Sequence, residues 1–157
     1  MNKVAVVTGG AGDIGNAVVA RLARDNYRIV ILDKNRAAGE QVAAAFAKRE
    51  VVVDFHHADL AQEGEVKSTF ERILADHNRV DLLVNVAGGS FFRHKFEDCP
   101  LDHWRAVIDA NLTATFLCCR AVTSRMKAQQ AGAIVNISSD IAYSGGENRS
   151  AYAAAKA

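Results

Sequence analysis

A tyrosine and a lysine stand four residues apart near the end of the chain, as Tyr152 and Lys156. Side chains at this spacing share one face of a helix. A phenol is a poor base because its pKa is about 10, but a neighbouring ammonium favours the phenolate form. The pair could therefore move a proton at neutral pH. The same spacing also arises by chance, and two exposed side chains on a helix would look no different.

Two other polar residues could assist this chemistry. Ser139 is expected at the carboxyl end of a strand, where ligands of parallel sheets collect, and its hydroxyl could hydrogen-bond a reacting oxygen. Ser138 should point to the opposite face, since side chains alternate along a strand. Asn111 lies in an apolar helical stretch, where its propensity cost indicates a function. The simpler alternatives are helix caps for the serines and a satisfied buried amide for Asn111.

A glycine-rich turn follows the first predicted strand. Gly10–Gly15 fits the pattern G-x-G-x-x-G, in which glycines let the backbone approach a pyrophosphate at a helix amino terminus; an ordinary strand–helix turn is the alternative. Asp33 ends the next strand, where a carboxylate can accept both adenosine ribose hydroxyls and repel a 2′-phosphate, so NAD(H) is favoured over NADP(H). Lys34 and Arg36 could instead bind that phosphate, and Asp33 could merely cap the next helix.

The elements that must position these residues alternate along the whole chain. Short apolar β-branched runs are followed by segments of helical periodicity, a pattern typical of βαβ units around a parallel sheet buried on both faces. The predicted strands are Val4–Val7, Arg28–Leu32, Val51–His56, Val80–Val84 and Ala133–Ile137. The predicted helices are Ile14–Asp25, Arg36–Lys48, Gln62–His77 and Leu101–Lys127, and a Ser/Gly/Asn-rich loop leads to a last helix at Ala151–Lys156.

Composition excludes several classes of protein. The chain has 157 residues, half of them hydrophobic, and a formal charge of +1, which does not suggest a nucleic-acid partner. The three cysteines, two of them adjacent, favour a reducing compartment, and we expect a cytoplasmic protein. The amino terminus has no long apolar segment, and no apolar run approaches bilayer length, so we expect no membrane partner.

Taken together, these motifs resemble those of the short-chain dehydrogenases/reductases, in the compact branch of that family. The resemblance covers the whole chain in the right order. The matching segments are the cofactor turn Thr8–Gly15, the adenine-contacting Asp59-Leu60, the N-N-A-G-like Asn85–Gly88, Asn111-Leu112 in the long helix, Asn136–Ser139 at the fifth strand, and Tyr152 with Lys156.

The resemblance implies a site and a mechanism. A substrate alcohol would hydrogen-bond Ser139 and Tyr152, and the Tyr152 phenolate would remove its proton while hydride passes to the nicotinamide. Lys156 would favour the phenolate and contact the nicotinamide ribose, and Asn111 would hold a water in a proton relay. The implied catalytic residues are Asn111, Ser139, Tyr152 and Lys156. The implied cofactor-binding residues are Gly9, Gly12, Asp13, Ile14, Gly15, Asp33, Asp59, Leu60, Asn85, Ala87, Gly88, Tyr152 and Lys156.

The chain departs from the family pattern at three points. Asp13 replaces the middle glycine of the cofactor turn, which should weaken cofactor binding unless its carboxylate turns back to cap the helix. The same turn also fits T-G-x-x-G-x-x-G of the family's longer branch of epimerases and dehydratases, although Gly88 favours the compact branch. Val86 replaces an asparagine, and the carboxyl-terminal third of the family's domain, with the loop that closes over substrate, is missing.

Four other features carry no catalytic prediction. We expect no metal site at His56-His57, because adjacent side chains on a strand diverge. Cys118-Cys119 are expected in the core or an interface rather than in redox chemistry. Phe91-Phe92-Arg93 could line the substrate site or anchor a loop. The long helix is apolar nearly all round, which indicates a subunit interface.

The sequence therefore predicts an α/β protein with a doubly wound, Rossmann-like parallel sheet of strand order 3-2-1-4-5, incomplete at its carboxyl-terminal end. Residues 1–157 would form a partial NAD(P)-binding domain. We expect an oxidoreductase that uses NAD, with NADP as the less favoured cofactor, on a small alcohol or carbonyl substrate. The full-length protein is expected to be a homo-oligomer, either dimer or tetramer. The alternatives are a nucleotide-binding fragment without catalytic competence and a nucleotide-sugar epimerase or dehydratase.

Overall fold

The structure, a computed structural model, describes residues 3–157, so Met1 and Asn2 of the predicted domain lie outside the described residues. Five parallel strands form one sheet in the order β3-β2-β1-β4-β5. This order confirms the predicted Rossmann-like sheet. The strands are β1 (Val4–Thr8), β2 (Arg28–Asp33), β3 (Val53–His57), β4 (Leu82–Asn85) and β5 (Ala133–Asn136).

Helices cover both faces of the sheet. On one face lie the first two helices, which pack against the first three strands, and on the other lie the third and fifth. The helices are α1 (Asp13–Arg24), α2 (Arg36–Ala47), α3 (Glu63–His77), α4 (Leu101–Ile108), α5 (Ala114–Gln129), α6 (Ile141–Ser144) and α7 (Ser150–Lys156), with a 3-10 turn at Phe96–Asp98 and a π-helical turn at Asp109–Thr113.

Alternating side chains of the central strands divide the core into two halves. Val4 and Val6 of β1 face α3 and α5, whereas Ala5 and Val7 face α1 and α2. All four are buried, which explains why β1 is apolar at successive positions. In contrast, every residue of β5, at one edge of the sheet, is exposed, whereas β3 at the other edge has only its last residue exposed.

The long helix differs from its prediction. Its helical structure runs from Leu101 to Gln129, but the π-helical turn at Asp109–Thr113 divides it into α4 and α5. The side chain of Asn111 lies within this turn and donates to the Val107 carbonyl at 2.9 Å. A π turn inserts one extra residue into the helical repeat, and apolar periodicity does not reveal it. The asparagine was the only sign of an irregularity.

The same helix corrects a second expectation. By length and composition alone it is apolar enough to cross a membrane, so the expectation that no run approaches bilayer length was wrong. The reason is that charged residues are sparse along its middle. A core helix can meet this criterion too, and α5 packs one side against β4 and β5, with Leu117 and Val122 buried.

The segment after β5 also contains more structure than predicted. The Ser/Gly/Asn-rich stretch was expected to be a loop, but Ile141–Ser144 form the short helix α6. Asp140 caps this helix, since its carboxylate accepts a hydrogen bond from Ile141 N at 2.9 Å. Four residues are too few to show helical periodicity, so only the aspartate could have indicated this turn.

Asp81 joins three strands at the amino-terminal end of the sheet. Its carboxylate accepts from Val4 N at 2.7 Å and from Arg79 Nε at 2.8 Å and Nη2 at 2.6 Å. Its backbone N–H donates to Val4 O, and its carbonyl accepts from Ala133 N. The Arg79 hydrogen bond lowers the pKa of Asp81; burial opposes this effect and the Val4 N–H supports it.

We predict that Asp81→Asn destabilises the protein at pH 7 by about 1–3 kcal/mol. The Asp81 side chain is only 8% exposed, and the substitution removes the negative charge that strengthens its hydrogen bonds. The lowered pKa means that the carboxylate stabilises the fold above its unfolded pKa and loses this contribution as pH falls through its folded value. Urea titrations at pH 7 and in acid should therefore show a difference that shrinks in acid. The exposed Asp98→Asn is the control, and an equal loss at both pH values would contradict the assignment.

Candidate functional site

A cleft of about 390 Å³ opens at the carboxyl ends of the first four strands. Ligands of open parallel sheets bind at these carboxyl ends, and the volume of the cleft is in the range of small-molecule sites. Ten of the thirteen predicted cofactor residues line it. The cleft is lined by Gly9, Gly12, Asp13, Ile14, Gly15, Leu32, Asp33, Lys34, Ala58, Asp59, Leu60, Ala61, Val86, Ala87, Gly88, Phe91, Ala110 and Ala114.

The fold requires glycine at one position of the turn after β1 but not at another. Gly9 has φ +65°, and a Cβ there would lie 2.8 Å from the backbone of Ala87. Gly12 has φ −81°, and a Cβ would meet only Gly9 O, at the ordinary distance of 3.5 Å. The fold thus does not require glycine at position 12. Its open side faces the cleft, which fits a turn that leaves room for a dinucleotide backbone.

The amino terminus of α1 lies at this turn and has no side-chain cap. Gly12 is the N-cap residue, and Asp13 is the exposed first residue of the helix. The free N–H groups and the helix dipole would favour an anion here, but the Asp13 carboxylate adds negative charge to the same place. Asp13 does not turn back to cap the helix, and the weaker cofactor binding expected for that case stays a prediction.

The Asp33 carboxylate is held by two backbone N–H groups, one from the glycine turn and one from the start of α2. Its Oδ2 accepts from Ala11 N at 3.1 Å, and its Oδ1 accepts from Asn35 N at 2.9 Å. The cap of α2 is Asn35, whose side chain accepts from Ala38 N at 3.1 Å. The alternative in which Asp33 caps that helix is therefore wrong. Its carboxylate is held at the cleft, where each oxygen retains a free lone pair for a hydroxyl.

Asp59 and Leu60 line the cleft from the segment after β3. The Asp59 carboxylate accepts from Ala61 N at 3.1 Å, and its own N–H donates to Glu65 Oε2 at 2.9 Å. These bonds fix the turn into α3.

Two buried polar side chains hold the loop that follows β4. Thr8 Oγ1 accepts from both Val86 N and Ala87 N at 3.1 Å. Thr8 was absent from the predicted site, although its place directly before the glycine turn could have indicated it. Asn85, which was predicted to contact the cofactor, lies behind this loop; its Nδ2 donates to Asn136 Oδ1 at 2.9 Å, and it does not line the cleft.

Asn111 holds the next part of this loop. Its Oδ1 accepts from Gly89 N at 3.0 Å, and its Nδ2 donates to Gly89 O at 3.0 Å and to Val107 O. The residue is 2% exposed, and its side-chain amide is a satisfied buried group, as the simpler alternative held. Its backbone carbonyl accepts from Thr115 Oγ1 at 2.7 Å. The proton relay through Asn111 stays a prediction.

Tyr152 and Lys156 are neighbours on α7, which packs against α4 and the π-helical turn. The Lys156 Nζ lies 6.0 Å from the centre of the Tyr152 ring and donates to Ile137 O at 2.9 Å. Burial lowers the pKa of Lys156. The Lys156 carbonyl accepts from Ser138 Oγ at 2.6 Å, so both ends of this lysine attach α7 to the segment after β5.

Ser139 lies on the same segment. Its Oγ donates to Asp140 Oδ1 at 3.1 Å and accepts from Ile141 N at 3.3 Å. The structure therefore places Ser139, Tyr152 and Lys156 around the carboxyl end of β5, beside the cleft rather than among the residues that line it. The link between the two regions is the π-helical turn, because Ala110 lines the cleft while α7 packs against the same turn.

Comparison with known proteins is consistent with this architecture. The model of the short chain dehydrogenase family matches residues 3–157. A 3beta-hydroxysteroid dehydrogenase of Mediterraneibacter gnavus is 34% identical over 98% of this chain and 55% of its own length. The chain thus spans little more than half of that relative.

Two solved structures are similar in fold. An NAD+-bound xylitol dehydrogenase has a TM-score of 0.93 and 34% identity, covering 98% of this chain and 59% of its own. A metagenomic short-chain oxidoreductase in complex with NADP has a TM-score of 0.93 and 31% identity, covering 98% and 70% respectively.

We predict that Thr8→Val destabilises the protein by about 1–3 kcal/mol, because valine keeps the shape but leaves the Val86 and Ala87 N–H groups without their acceptor. Thr123→Val is the matched control: its hydroxyl only donates to a carbonyl within α5, Cys119 O. Urea unfolding of both variants measures the difference. Equal stability of Thr8→Val and wild type would show that these loop N–H groups find other partners.

Proposed function

Because the chain belongs to the short-chain dehydrogenase family, we propose that it is a nicotinamide-dependent oxidoreductase that interconverts a small alcohol and its carbonyl compound, with NAD as the preferred cofactor. The observation that carries this proposal is the cleft over the carboxyl ends of β1 to β4, with the uncapped α1 at one wall. The Tyr152–Lys156 helix lies beside it, against the turn that also lines the cleft.

The residues of the cleft fit a dinucleotide. Gly12 leaves space that the fold does not need, the first N–H groups of α1 face an anion site, and Asp33 offers carboxylate oxygens for ribose hydroxyls. The preference for NAD rests on Asp33, since its negative charge would repel a 2′-phosphate. Similar structures bind NAD+ in one case and NADP in another, so the fold alone does not decide the cofactor.

The chemistry divides between the cofactor and the chain. A bound nicotinamide supplies or accepts the hydride. In our proposal Tyr152 moves the proton of the substrate hydroxyl, and the nearby Lys156 ammonium favours the phenolate. Ser139 Oγ would hydrogen-bond the reacting oxygen in place of its present bond to Asp140. Asn111 would hold the Gly89 loop against the long helix and keep the cleft in shape.

An exposed apolar face on the long helix supports a homo-oligomer. Leu112 and Phe116 stand one helical turn apart and are about half exposed, although both are large and apolar. Such pairs on a helix surface commonly mark a subunit interface. We propose a cytoplasmic dimer or tetramer for the protein to which this chain corresponds.

We predict that the wild-type chain binds NADH more tightly than NADPH and that Tyr152→Phe leaves NADH binding within about twofold of wild type. Turnover on a panel of carbonyl compounds should fall by roughly 10²–10⁴-fold, because the variant cannot transfer the proton. Tyr143→Phe is the matched control, since Tyr143 is exposed on α6. Fluorescence titration and NADH oxidation measure the two effects.

The outcomes separate the candidate functions. Full turnover by Tyr152→Phe would refute the assignment of the proton-transfer residue. Binding of NADH without turnover by wild type would support a nucleotide-binding fragment, and binding of neither NADH nor NADPH would refute the proposal altogether.

Asp13 gives a second test, of charge at the anion site. We predict that Asp13→Asn, which keeps the shape and removes the charge, binds NADH roughly two- to fivefold more tightly at low salt. The gain should shrink at high ionic strength because salt screens the repulsion. Glu71→Gln, an exposed carboxylate on α3, is the control for net charge. Weaker binding by Asp13→Asn would mean that the carboxylate contributes a contact to the ligand.

A further inference from the structure

Two side chains meet across the cleft. The Lys34 Nζ lies over the Phe91 ring, 5.2 Å from its centre, and both residues line the cleft. Lys34 follows β2, and Phe91 lies in the loop after β4. Because β1 stands between β2 and β4 in the sheet, this contact passes over the carboxyl end of β1 and its glycine turn.

The Phe91 end of this contact rests on a fixed platform. A Cβ on Gly89 would lie 2.9 Å from the Phe91 ring, so the ring packs directly on the Gly89 backbone. Both polar groups of Gly89 are hydrogen-bonded to the buried amide of Asn111. The ring is thereby supported by the long helix, while Phe91 as a whole residue remains 49% exposed.

The Lys34 end is fixed at its backbone and free at its side chain. Asp33 and Asn35, on either side, are joined by the Asp33 Oδ1–Asn35 N hydrogen bond, and Asn35 caps α2. Lys34 itself is exposed and has no carboxylate partner among the ion pairs of the described residues. Its four-carbon stem can swing away from the ring without moving the sheet.

We infer that Lys34 and Phe91 form a strap across the cleft, which must open for a dinucleotide to enter and which closes over the bound ligand. The inference rests on the proposed function, because it assumes that the cleft holds a nicotinamide dinucleotide. The strap also has an electrostatic role. Asp13 brings a negative charge to the glycine turn, and the Lys34 ammonium brings a positive charge to the space above it, where it attracts the anionic ligand.

A strap affects the rates of ligand entry and exit, which a contact that stays closed during binding would not change. The Lys34–Phe91 contact exists in the free chain and reforms over the ligand, so it is broken only during entry and exit. Weakening it should raise the association and dissociation rates together and leave Kd nearly unchanged. A cation–π contact at an exposed site is weak, so we expect both rates to rise roughly two- to fivefold.

Stopped-flow mixing of the 157-residue chain with NADH, read by NADH fluorescence, tests the strap. Phe91→Leu keeps an apolar side chain but removes the ring face, and should raise both rates. Phe96→Leu is the matched control, because Phe96 is an exposed aromatic in the same loop that does not line the cleft. Lys34→Met should raise the dissociation rate, weaken binding and reduce its salt dependence, since it removes both the contact and the charge that attracts the ligand.

The double variant Lys34→Met, Phe91→Leu should release NADH no faster than Lys34→Met alone, because both changes remove the same contact. Rates of Phe91→Leu equal to those of wild type and Phe96→Leu would overturn the strap while leaving the proposed function intact. So would a change in the Kd of Phe91→Leu without a rise in its association rate. If the wild-type chain binds neither NADH nor NADPH, the proposed function fails and the strap fails with it.

Discussion

The pairing of the Asn111 amide with the Gly89 peptide is the interaction on which the site depends. The loops that follow the carboxyl ends of parallel strands have backbone N–H and C=O groups without strand partners. These groups need other hydrogen-bond partners if the loops are to keep one conformation. Asn111 reaches out of the π-helical turn and satisfies both groups of Gly89. This one side chain joins the long helix to the cleft loop and supports the Phe91 ring above it.

Much of the fold followed from patterns that burial imposes on sequence. The sheet buries most of β1, β2 and β4 on both faces, so these strands appeared as apolar runs, and the strand order agreed with the family resemblance. The glycine turn and Asp33 were found because local chemistry requires them. The π-helical turn, α6 and Thr8 were not. The helix α6 is too short to show periodicity, and the partners of Thr8, the N–H groups of residues 86 and 87, are far from it in sequence.

Three of the four predicted catalytic residues, Ser139, Tyr152 and Lys156, form a second unit that is attached to the cleft rather than part of it. The Lys156 ammonium donates to Ile137 O, and the Lys156 carbonyl accepts from Ser138 Oγ. Both the side chain and the backbone of Lys156 therefore attach α7 to the end of β5. Since β5 is paired with β4, any shift of the edge strand would move Tyr152 relative to the cleft. The position of the phenol is thus set by strand pairing, although the residue itself is on a helix.

The charges of the cleft decide what kind of ligand it can hold. The charged residues that line it are three acids, Asp13, Asp33 and Asp59, and one cation, Lys34. Side chains therefore cannot neutralise a pyrophosphate, and the N–H groups of α1 must supply most of the attraction at the glycine turn. The acids at the ends of β2 and β3 suit hydroxyl donors instead. A ligand with an anionic centre and a hydroxyl-rich flank satisfies both conditions, and an isolated phosphate satisfies only one.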